Sequence, residues 1–132
     1  MSGDHQLESD EIKRFARSYD PQPFHLDEEA ARDSLFGGLA ASGFHTAATT
    51  MRLLVEGGLP LAGGVIGTGG ELTWPKPTRP GDTLRVETEI LDVVPSRSRP
   101  GMGTALVRCV TRNQHGEVVQ TFSPRVTVMR RT

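Results

Sequence analysis

The sequence predicts an α+β fold, in which an antiparallel β-sheet wraps around one long central α-helix. Short helical segments begin the 132-residue chain, a largely uncharged segment of helical length follows, and strand-length runs fill the remainder. Helices and strands that are segregated along a chain are typical of α+β proteins, whereas parallel α/β folds alternate them. We therefore expect residues 1–132 to form a single domain.

The N-terminal region predicts a frayed segment and then a short helix. Residues 1–9 are polar and are expected to be disordered. Ile12 and Phe15 have helical spacing, so a helix is predicted over residues 10–17, with Asp10 as its N-cap.

Two prolines shape the next segment. Pro21 and Pro23 are expected to hold residues 20–25 out of helix and to stiffen them. Asp27 is a candidate N-cap for a second short helix, because the acidic residues after it suit the positive end of a helix dipole. This helix is expected to end by residues 36–38.

The most distinctive segment covers residues 39–56, with the sequence LAASGFHTAATTMRLLVE. Its first two-thirds is uncharged and small or apolar on every side, which predicts a helix buried all round rather than a surface helix. Gly57 and Gly58, with Pro60 after them, are expected to end it.

The remainder predicts strands and turns. Pro124 interrupts the last strand, so a bulge or an edge position is expected there. The predicted strand segments are residues 65–66 and 72–74, residues 84–90, residues 104–112, and a strand from residue 117 that follows a hairpin turn at 113–116.

Composition favours an oligomer and gives no reason to expect nucleic-acid or membrane binding. The apolar fraction is 36%, and 15 Gly with 9 Pro imply many turns, so extra apolar surface is expected to be buried between subunits. The net charge of −1 creates no global field for nucleic acid or membranes. Residues 72–132 hold ten bases against five carboxylates, which would suit an anionic ligand, although solvated strand faces explain most such arginines.

Cysteine content and the N-terminus predict a cytoplasmic protein. Cys109 is the only cysteine, so no internal disulfide is expected, and its apolar context predicts a buried, inert thiol. The N-terminus lacks the features of a signal peptide, and no run approaches the roughly 20 apolar residues that span a bilayer.

Other kinds of site lack their signatures. The glycine-rich residues 63–70 have neither Rossmann spacing nor the Gly-Lys-Ser/Thr end of a P-loop, and no Gly-x-Ser-x-Gly elbow occurs. The four histidines, His5, His25, His45 and His115, show no metal-ligand spacing, so no metal is expected. His45 is interpreted as a core histidine of the buried helix rather than as a catalyst.

An ordered set of four motifs runs through the chain. Residues 19–27, YDPQPFHLD, contain Asp20 and His25 with four residues between them, and residues 36–43, FGGLAASG, follow. Residues 74–84 contain Arg-Pro-Gly-Asp-Thr-Leu, and residues 96–103 form an arginine-containing loop. The set resembles, in order, the motifs of the MaoC-like (R)-specific enoyl-thioester hydratase/dehydratase family, and this resemblance implies a hot-dog fold.

The resemblance implies that Asp20 and His25 are the catalytic pair. Addition of water to a trans-2-enoyl thioester needs one group to remove a proton and another to supply one. Histidine suits either role, because its unperturbed pKa is about 6.5. Sequence spacing alone does not bring the two side chains together, and without the resemblance Asp20 would be a turn residue and His25 a polar loop residue.

The resemblance also implies that Gly43 binds the thioester carbonyl, through N–H groups at the positive end of the central helix. Close helix–strand packing is another reason for a glycine here, and both roles can coexist. Family hydratases carry a helical serine that supports the catalytic aspartate, and an ungapped reading places Met51 there instead. Thr46, Thr49 or Thr50 could substitute for it.

The implied substrate is an acyl thioester of coenzyme A or acyl carrier protein, with no metal or other cofactor. Arg97 and Arg99 are candidate ligands of its phosphates, although surface arginines in loops are commoner than phosphate ligands. By the same resemblance, two protomers are expected to join edge to edge as a homodimer.

Two other functions remain open. A hot-dog acyl-CoA thioesterase would place a carboxylate on the central helix, and none precedes Glu56. A non-catalytic acyl-thioester-binding protein would retain the fold, and Met51 at the position of the helical serine is the best evidence for it.

Overall fold

The structure is a computed structural model that describes residues 2–58 and 66–129. In chain order, its helices and strands are β1 (Asp4–Gln6), α1 (Ser9–Tyr19), α2 (Pro23–Leu26), α3 (Glu28–Arg32), α4 (Gly43–Leu53), β2 (Ile66–Thr73), β3 (Thr83–Pro95), β4 (Met102–Arg112) and β5 (Val118–Met129). None of the helices in these two ranges has the length and apolar character needed to cross a bilayer.

The five strands form one antiparallel sheet in the order β1-β3-β4-β5-β2. Helix α4 packs against β1, β3 and β5. The core lies between this helix and the sheet, and its fully buried apolar side chains include Leu54, Leu84, Val86, Val107, Val119 and Val126. The predicted α+β hot-dog class is confirmed, and Cys109 is buried as expected.

The central helix is shorter than predicted. Ser42 caps α4 by accepting a hydrogen bond from the Phe44 N–H at 3.3 Å, so the helix begins at Gly43 rather than at residue 39. After Leu53 the chain continues as one π-helical turn, Leu54–Gly58, in which Gly57 has φ 152°. The expectation that the helix is buried all round is wrong for the protomer, because Phe44 is 63% exposed.

The N-terminus is ordered, contrary to expectation. Strand β1 pairs with the start of β3, and the Leu7 side chain after it is fully buried in the core. This anchoring explains why residues 2–9 are not frayed. Helix α1 begins at Ser9, so Asp10 lies in its first turn and not at the N-cap, which is Glu8.

The segment with two prolines is partly helical. Pro23 begins the four-residue helix α2, which includes His25, so the prediction that residues 20–25 avoid helix is wrong from Pro23 onward. Proline is tolerated at this position because a first-turn N–H would have no intrahelical acceptor. Asp27 caps α3 as predicted, since its Oδ1 accepts from the Glu29 N–H at 3.1 Å.

Strand β5 is interior, so the prediction of a bulge or an edge position at Pro124 is wrong. Pro124 pairs with Gly70 of β2, and the irregularities of register lie elsewhere, between Gly67 and Gly69 and next to Arg112. Strand β5 pairs with β4 at Arg125 and at Phe122, on either side of Pro124, so the strand continues past the residue that has no N–H to donate.

The predicted strand at 104–112 and the hairpin turn, in which Gly116 has φ 76°, are confirmed. The segments predicted at 65–66 and 72–74 belong instead to one strand, β2, which ends at Thr73, and β3 extends past residue 90 to Pro95. Two predicted details lie outside the described residues, namely Val65 at the start of a strand and Pro60 after the central helix.

Candidate active site

The structure brings Asp20 and His25 together. Asp20 is the C-cap residue of α1, and its backbone N–H donates to the Ala16 carbonyl at 2.8 Å. His25 lies on α2, where its backbone N–H donates to Gln22 at 2.9 Å. The chain reverses between these helices, and the Asp20 Oδ2 and His25 Nε2 atoms lie 3.3 Å apart.

A hydrogen bond to the Ala40 carbonyl fixes the orientation of the His25 ring. Its Nδ1 lies 2.6 Å from the Ala40 carbonyl oxygen, which can only accept, so Nδ1 carries a proton. In the neutral ring Nε2 then has a lone pair, and this lone pair faces the carboxylate of Asp20. The 3.3 Å contact is therefore favourable when Nε2 is also protonated, or when a donor such as water lies beside both atoms.

Asp20 is held as a carboxylate. Burial acts to raise its pKa, but hydrogen bonds from Ser42 and Gln22 and the attraction of His25 outweigh it, so the pKa of Asp20 lies below its ordinary value. The Ser42 hydroxyl donates to Oδ2 at 2.6 Å, and the Gln22 amide donates to Oδ1. Asp20 is consequently ionised at neutral pH, and its two oxygens accept hydrogen bonds.

Gly43 lies at the first position of α4, beside this pair. Among the described residues, no acceptor takes a hydrogen bond from the Gly43 N–H, which leaves it free at the positive end of the helix dipole. A Cβ on Gly43 would lie 2.7 Å from the Trp74 ring, so close packing also requires glycine here. The packing role of Gly43 is therefore compatible with the expected carbonyl-binding role.

The pair and Gly43 line a cavity of about 650 Å³. Its walls are mainly aromatic and apolar, and Lys76 and Arg79 are its only cationic side chains in the part of the chain described. The apolar walls come from Phe24, Leu35, Phe36, Ala41, Phe44, Trp74, Pro75 and Pro77. Such a cavity suits an apolar ligand with a polar reacting centre.

The threonines predicted to support Asp20 do not do so. Thr46 bonds to Thr78 at 3.0 Å, and Thr50 bonds to Thr111 at 2.7 Å and accepts from Gln120. These hydroxyls satisfy one another in the core, because water is excluded there.

Ser42 provides the support instead, and the sequence analysis missed it. Serine is a preferred N-cap, but the predicted helix began at residue 39 and therefore placed Ser42 inside it. Thr49 is also buried on α4, and Met51 is 37% exposed.

Arg97 and Arg99 are not brought to this cavity. Both are exposed in the turn between β3 and β4, and neither lines the cavity of the protomer. The Arg99 backbone N–H bonds to the Ser96 hydroxyl at 3.1 Å.

His45 belongs to a second cluster. Its Nε2 lies 3.0 Å from Glu11 Oε2, and the same carboxylate lies 3.1 Å from His5 Nε2. Its ring stacks on Phe15 with centroids 4.6 Å apart. Glu11 thus joins β1, α1 and α4. No group of three or more His, Cys, Asp or Glu side chains in the described ranges, this cluster included, could hold a metal ion.

The sheet packed on α4 defines a hot-dog protein, and its cavity holds an Asp–His pair among apolar side chains. The model of the MaoC like domain family matches residues 2–112, so the chain belongs to this family.

The chain is also similar over nearly its whole length to three other proteins. The chain is 36% identical over 125 residues to the uncharacterized protein YdeM of Bacillus subtilis (strain 168), covering 94% of this chain and 86% of that protein. The MaoC-like dehydratase structure from Rhodospirillum rubrum is 62% identical, with a TM-score of 0.97 over 99% of this chain and 90% of that one. The (R)-hydratase from A. caviae involved in PHA biosynthesis is 25% identical, with a TM-score of 0.74 over 98% of this chain and 94% of that one.

Proposed function

We propose that this protein is a hydratase/dehydratase that interconverts trans-2-enoyl and (R)-3-hydroxyacyl thioesters. The observation that carries the proposal is the 3.3 Å contact of Asp20 Oδ2 with His25 Nε2 at an apolar cavity. The relatives add support, because one is described as a MaoC-like dehydratase and another as an (R)-hydratase.

The pair can hold one water molecule between them. In hydration, one of the two groups removes a proton from the water as its oxygen bonds to C3, and the other delivers a proton to C2. The C2–C3 double bond becomes a single bond, and dehydration is the reverse. Neither direction involves an external oxidant or reductant, so the proposed reaction requires no redox cofactor.

Gly43 is proposed to stabilise the thioester oxygen. Negative charge develops on this oxygen while C3 is attacked, and a fixed N–H donor in a water-poor site stabilises such charge by roughly 3–4 kcal/mol. The free N–H of Gly43 at the start of α4 has the chemistry for this role.

The acyl group is proposed to occupy the apolar cavity, with its thioester joined to coenzyme A or acyl carrier protein. Arg97 and Arg99 are still proposed to bind the phosphates of this carrier, on the condition that the carrier extends beyond the cavity of one protomer. Their simultaneous replacement by alanine is expected to raise the KM for a coenzyme A substrate, and an unchanged KM would remove them from the site.

A homodimer is proposed from the exposed surface of β3. Strand β1 pairs with Thr83–Arg85, and Ser2 bonds to the backbone N–H and carbonyl of Val86; from Glu89 onward, no strand within the described residues pairs with this edge of β3. Four exposed apolar side chains lie along this part of β3, namely Ile90, Leu91, Val93 and Val94. Pairing with a second copy would cover both features. Sedimentation at micromolar concentration tests this, and a purely monomeric species would contradict it.

The catalytic proposal is tested by following the loss of enoyl-thioester absorbance with crotonyl-CoA and a longer homologue. We expect formation of the (R)-3-hydroxy product, with both Asp20→Asn and His25→Gln reducing kcat by several orders of magnitude. Matched controls are Asp10→Asn and His115→Gln, which alter the same residue types at exposed positions and should leave kcat unchanged.

Other outcomes identify the alternative functions. Release of free coenzyme A that survives both substitutions would favour a thioesterase. Tight binding of the thioesters without turnover by the folded wild-type protein would favour a non-catalytic binding protein. Cytoplasmic location is proposed with the enzyme and is tested by fractionation of the cells that produce it.

A further inference from the structure

Arg79 makes an unusual set of contacts in the wall of the cavity. It lies in the loop between β2 and β3, and its guanidinium donates to three backbone carbonyls that lie within four residues of one another. Nη1 bonds to Gly38 at 2.9 Å and to Leu39 at 3.3 Å, and Nη2 bonds to Phe36. A planar fork of donors suits such a set, whereas the ammonium group of a lysine cannot span it.

The loop that Arg79 holds lies directly behind His25. Ala40, the next residue after the three held carbonyls, accepts the Nδ1 proton of His25 at 2.6 Å. Two further bonds fix the loop, since the Ala40 N–H donates to Phe24 at 3.2 Å and the Ala41 N–H donates to Thr78 at 2.8 Å. The position of the Ala40 carbonyl is thus set from the segment that contains Arg79.

Arg79 is itself anchored to the sheet. Its backbone N–H donates to Asp82 Oδ2 at 2.8 Å, and the Asp82 N–H donates back to the Arg79 carbonyl at 3.1 Å. Gln114, in the hairpin turn, donates to the other oxygen of Asp82 at 3.0 Å. The guanidinium therefore joins a rigid part of the sheet to the loop behind the imidazole.

The imidazole of His25 has an acceptor on each side, which makes its backbone partner decisive. The Ala40 carbonyl, at 2.6 Å, keeps a proton on Nδ1, while the Asp20 carboxylate, at 3.3 Å, would attract it to Nε2. If the Ala40 carbonyl moved away, the neutral ring would place its proton on Nε2. That tautomer cannot accept a proton from water at the face toward Asp20.

We propose that Arg79 is a positioning residue for His25: by clamping the carbonyls of Phe36, Gly38 and Leu39, it holds the Ala40 carbonyl where it selects the Nδ1–H tautomer. Arg79 acts through the loop and takes no part in proton transfer. The consequence for catalysis rests on the hydratase proposal, but the consequence for the tautomer does not.

The test combines Arg79→Met and Arg79→Lys with ¹⁵N NMR of histidine-labelled protein at about pH 8.5, where unperturbed histidines are neutral. Wild-type His25 is expected to show a protonated Nδ1 and an unprotonated Nε2. In Arg79→Met the proton should move to Nε2, and in Arg79→Lys, which keeps a single charged donor group, both tautomers should be present. His25→Gln assigns the signals.

Kinetics supply the second readout. We expect Arg79→Met to lower kcat between about tenfold and a hundredfold, the range that a small misplacement of a catalytic group costs, with KM changed less than about twofold. Arg112 provides the matched control, because it is also half-buried and its Nη1 donates to the Gly116 carbonyl at 3.0 Å, in the hairpin turn. Arg112→Met should leave both tautomer and kcat unchanged.

An unchanged tautomer in folded Arg79→Met, or in Arg79→Lys if the methionine variant does not fold, would overturn the proposal. So would a fall in kcat that Arg112→Met reproduces with the same loss of thermal stability. If the tautomer changes as expected while the wild-type protein hydrates no enoyl thioester, the positioning role stands and the proposed function fails. The two proposals are therefore separable.

Discussion

The Ser42 hydroxyl donates to Asp20 Oδ2 at 2.6 Å, and the Ser42 Oγ atom also accepts from the Phe44 N–H at 3.3 Å. One side chain therefore caps the central helix and also orients the candidate catalytic carboxylate. The start of the helix and the carboxylate cannot shift independently of each other. Because Ser42 is fully buried, water cannot replace either bond without rearrangement of the chain.

Replacing Ser42 should separate the two bonds. Ser42→Ala removes both and is expected to destabilise the fold by about 1 kcal/mol through loss of the cap. Ser42→Gly also removes the bond to Asp20, but glycine caps helices almost as well and should cost only a few tenths of a kcal/mol in that role.

Both variants should raise the pKa of Asp20, since the hydroxyl is one of the groups that lower it. The acidic limb of the pH–rate profile is then expected to move to higher pH by a similar amount in each, while urea denaturation distinguishes them. An acidic limb that stays in place in both would show that Ser42 does not govern the carboxylate.

Gly43→Ala should impair the protein through the Trp74 ring. The added Cβ would lie 2.7 Å from that ring, so the ring must move, and Trp74 would lose its hydrogen bond to Gln120 at 2.9 Å. We expect a lower melting temperature and a lower kcat. Gly3→Ala is the control, because a Cβ there would meet no atom within 4 Å.

A double-mutant cycle identifies the cause. If the clash explains the loss, Gly43→Ala should cost much less stability when Trp74 has been replaced by leucine. Strict additivity of the two changes would point to the helix N-terminus instead.

His45 should make stability depend on pH between about 5 and 7. Burial lowers the pKa of His45, and this outweighs the attraction of Glu11, with His5 and Arg14 adding repulsion. The unfolded chain therefore binds the proton more readily, so stability present above the ordinary histidine pKa of about 6.5 is lost as the pH falls through it. The free energy of unfolding, measured in urea at several pH values, should decrease accordingly.

His45→Gln should remove this decrease, because an amide does not titrate. The pKa of Glu11 is also shifted, to below its ordinary value, because hydrogen bonds from His5 and His45 outweigh the effect of burial. Its contribution is lost only at lower pH, as the pH falls through that depressed pKa. Identical slopes for the wild type and His45→Gln between pH 5 and 7 would contradict the assignment.

Cys109 should be unreactive in the folded protein. Burial raises the pKa of the thiol to about 11, so very little thiolate is present at pH 8. An aromatic disulfide reagent is expected to titrate one thiol rapidly in urea and to react at least about a hundredfold more slowly without it. Rapid reaction of the native protein would mean that the strand opens readily.

The sequence was sufficient for elements whose signal is local. Alternation of apolar and charged residues at 84–90 predicted the first part of β3, the turn at 113–116 was predicted together with its glycine, and Asp27 was predicted to cap its helix. The fold class followed from their order. The Asp20 and His25 positions came from a resemblance, because no local rule gives the distance between two side chains across a turn.

The errors share a physical origin. Ser42 was missed because its partner lies 22 residues away, and the N-terminus was misjudged because its polar residues gain order by pairing with β3. Pro124 is accommodated in an interior strand because residues on both sides of it, Phe122 and Arg125, pair with β4. Each of these features depends on a contact between residues that are far apart in the sequence. Secondary-structure propensity and hydrophobic periodicity give no information about such contacts.

The cavity draws its reacting pair and its opposite wall from separate stretches of the chain. Asp20 ends α1 and His25 lies on α2, whereas Trp74, Pro75 and Pro77 come from the loop after β2. Substitutions at these three wall residues can therefore reshape the space for a ligand without changing the pair that is proposed to transfer protons. Such a division lets a lineage explore new substrates by changing a few wall residues while inheriting its chemistry intact.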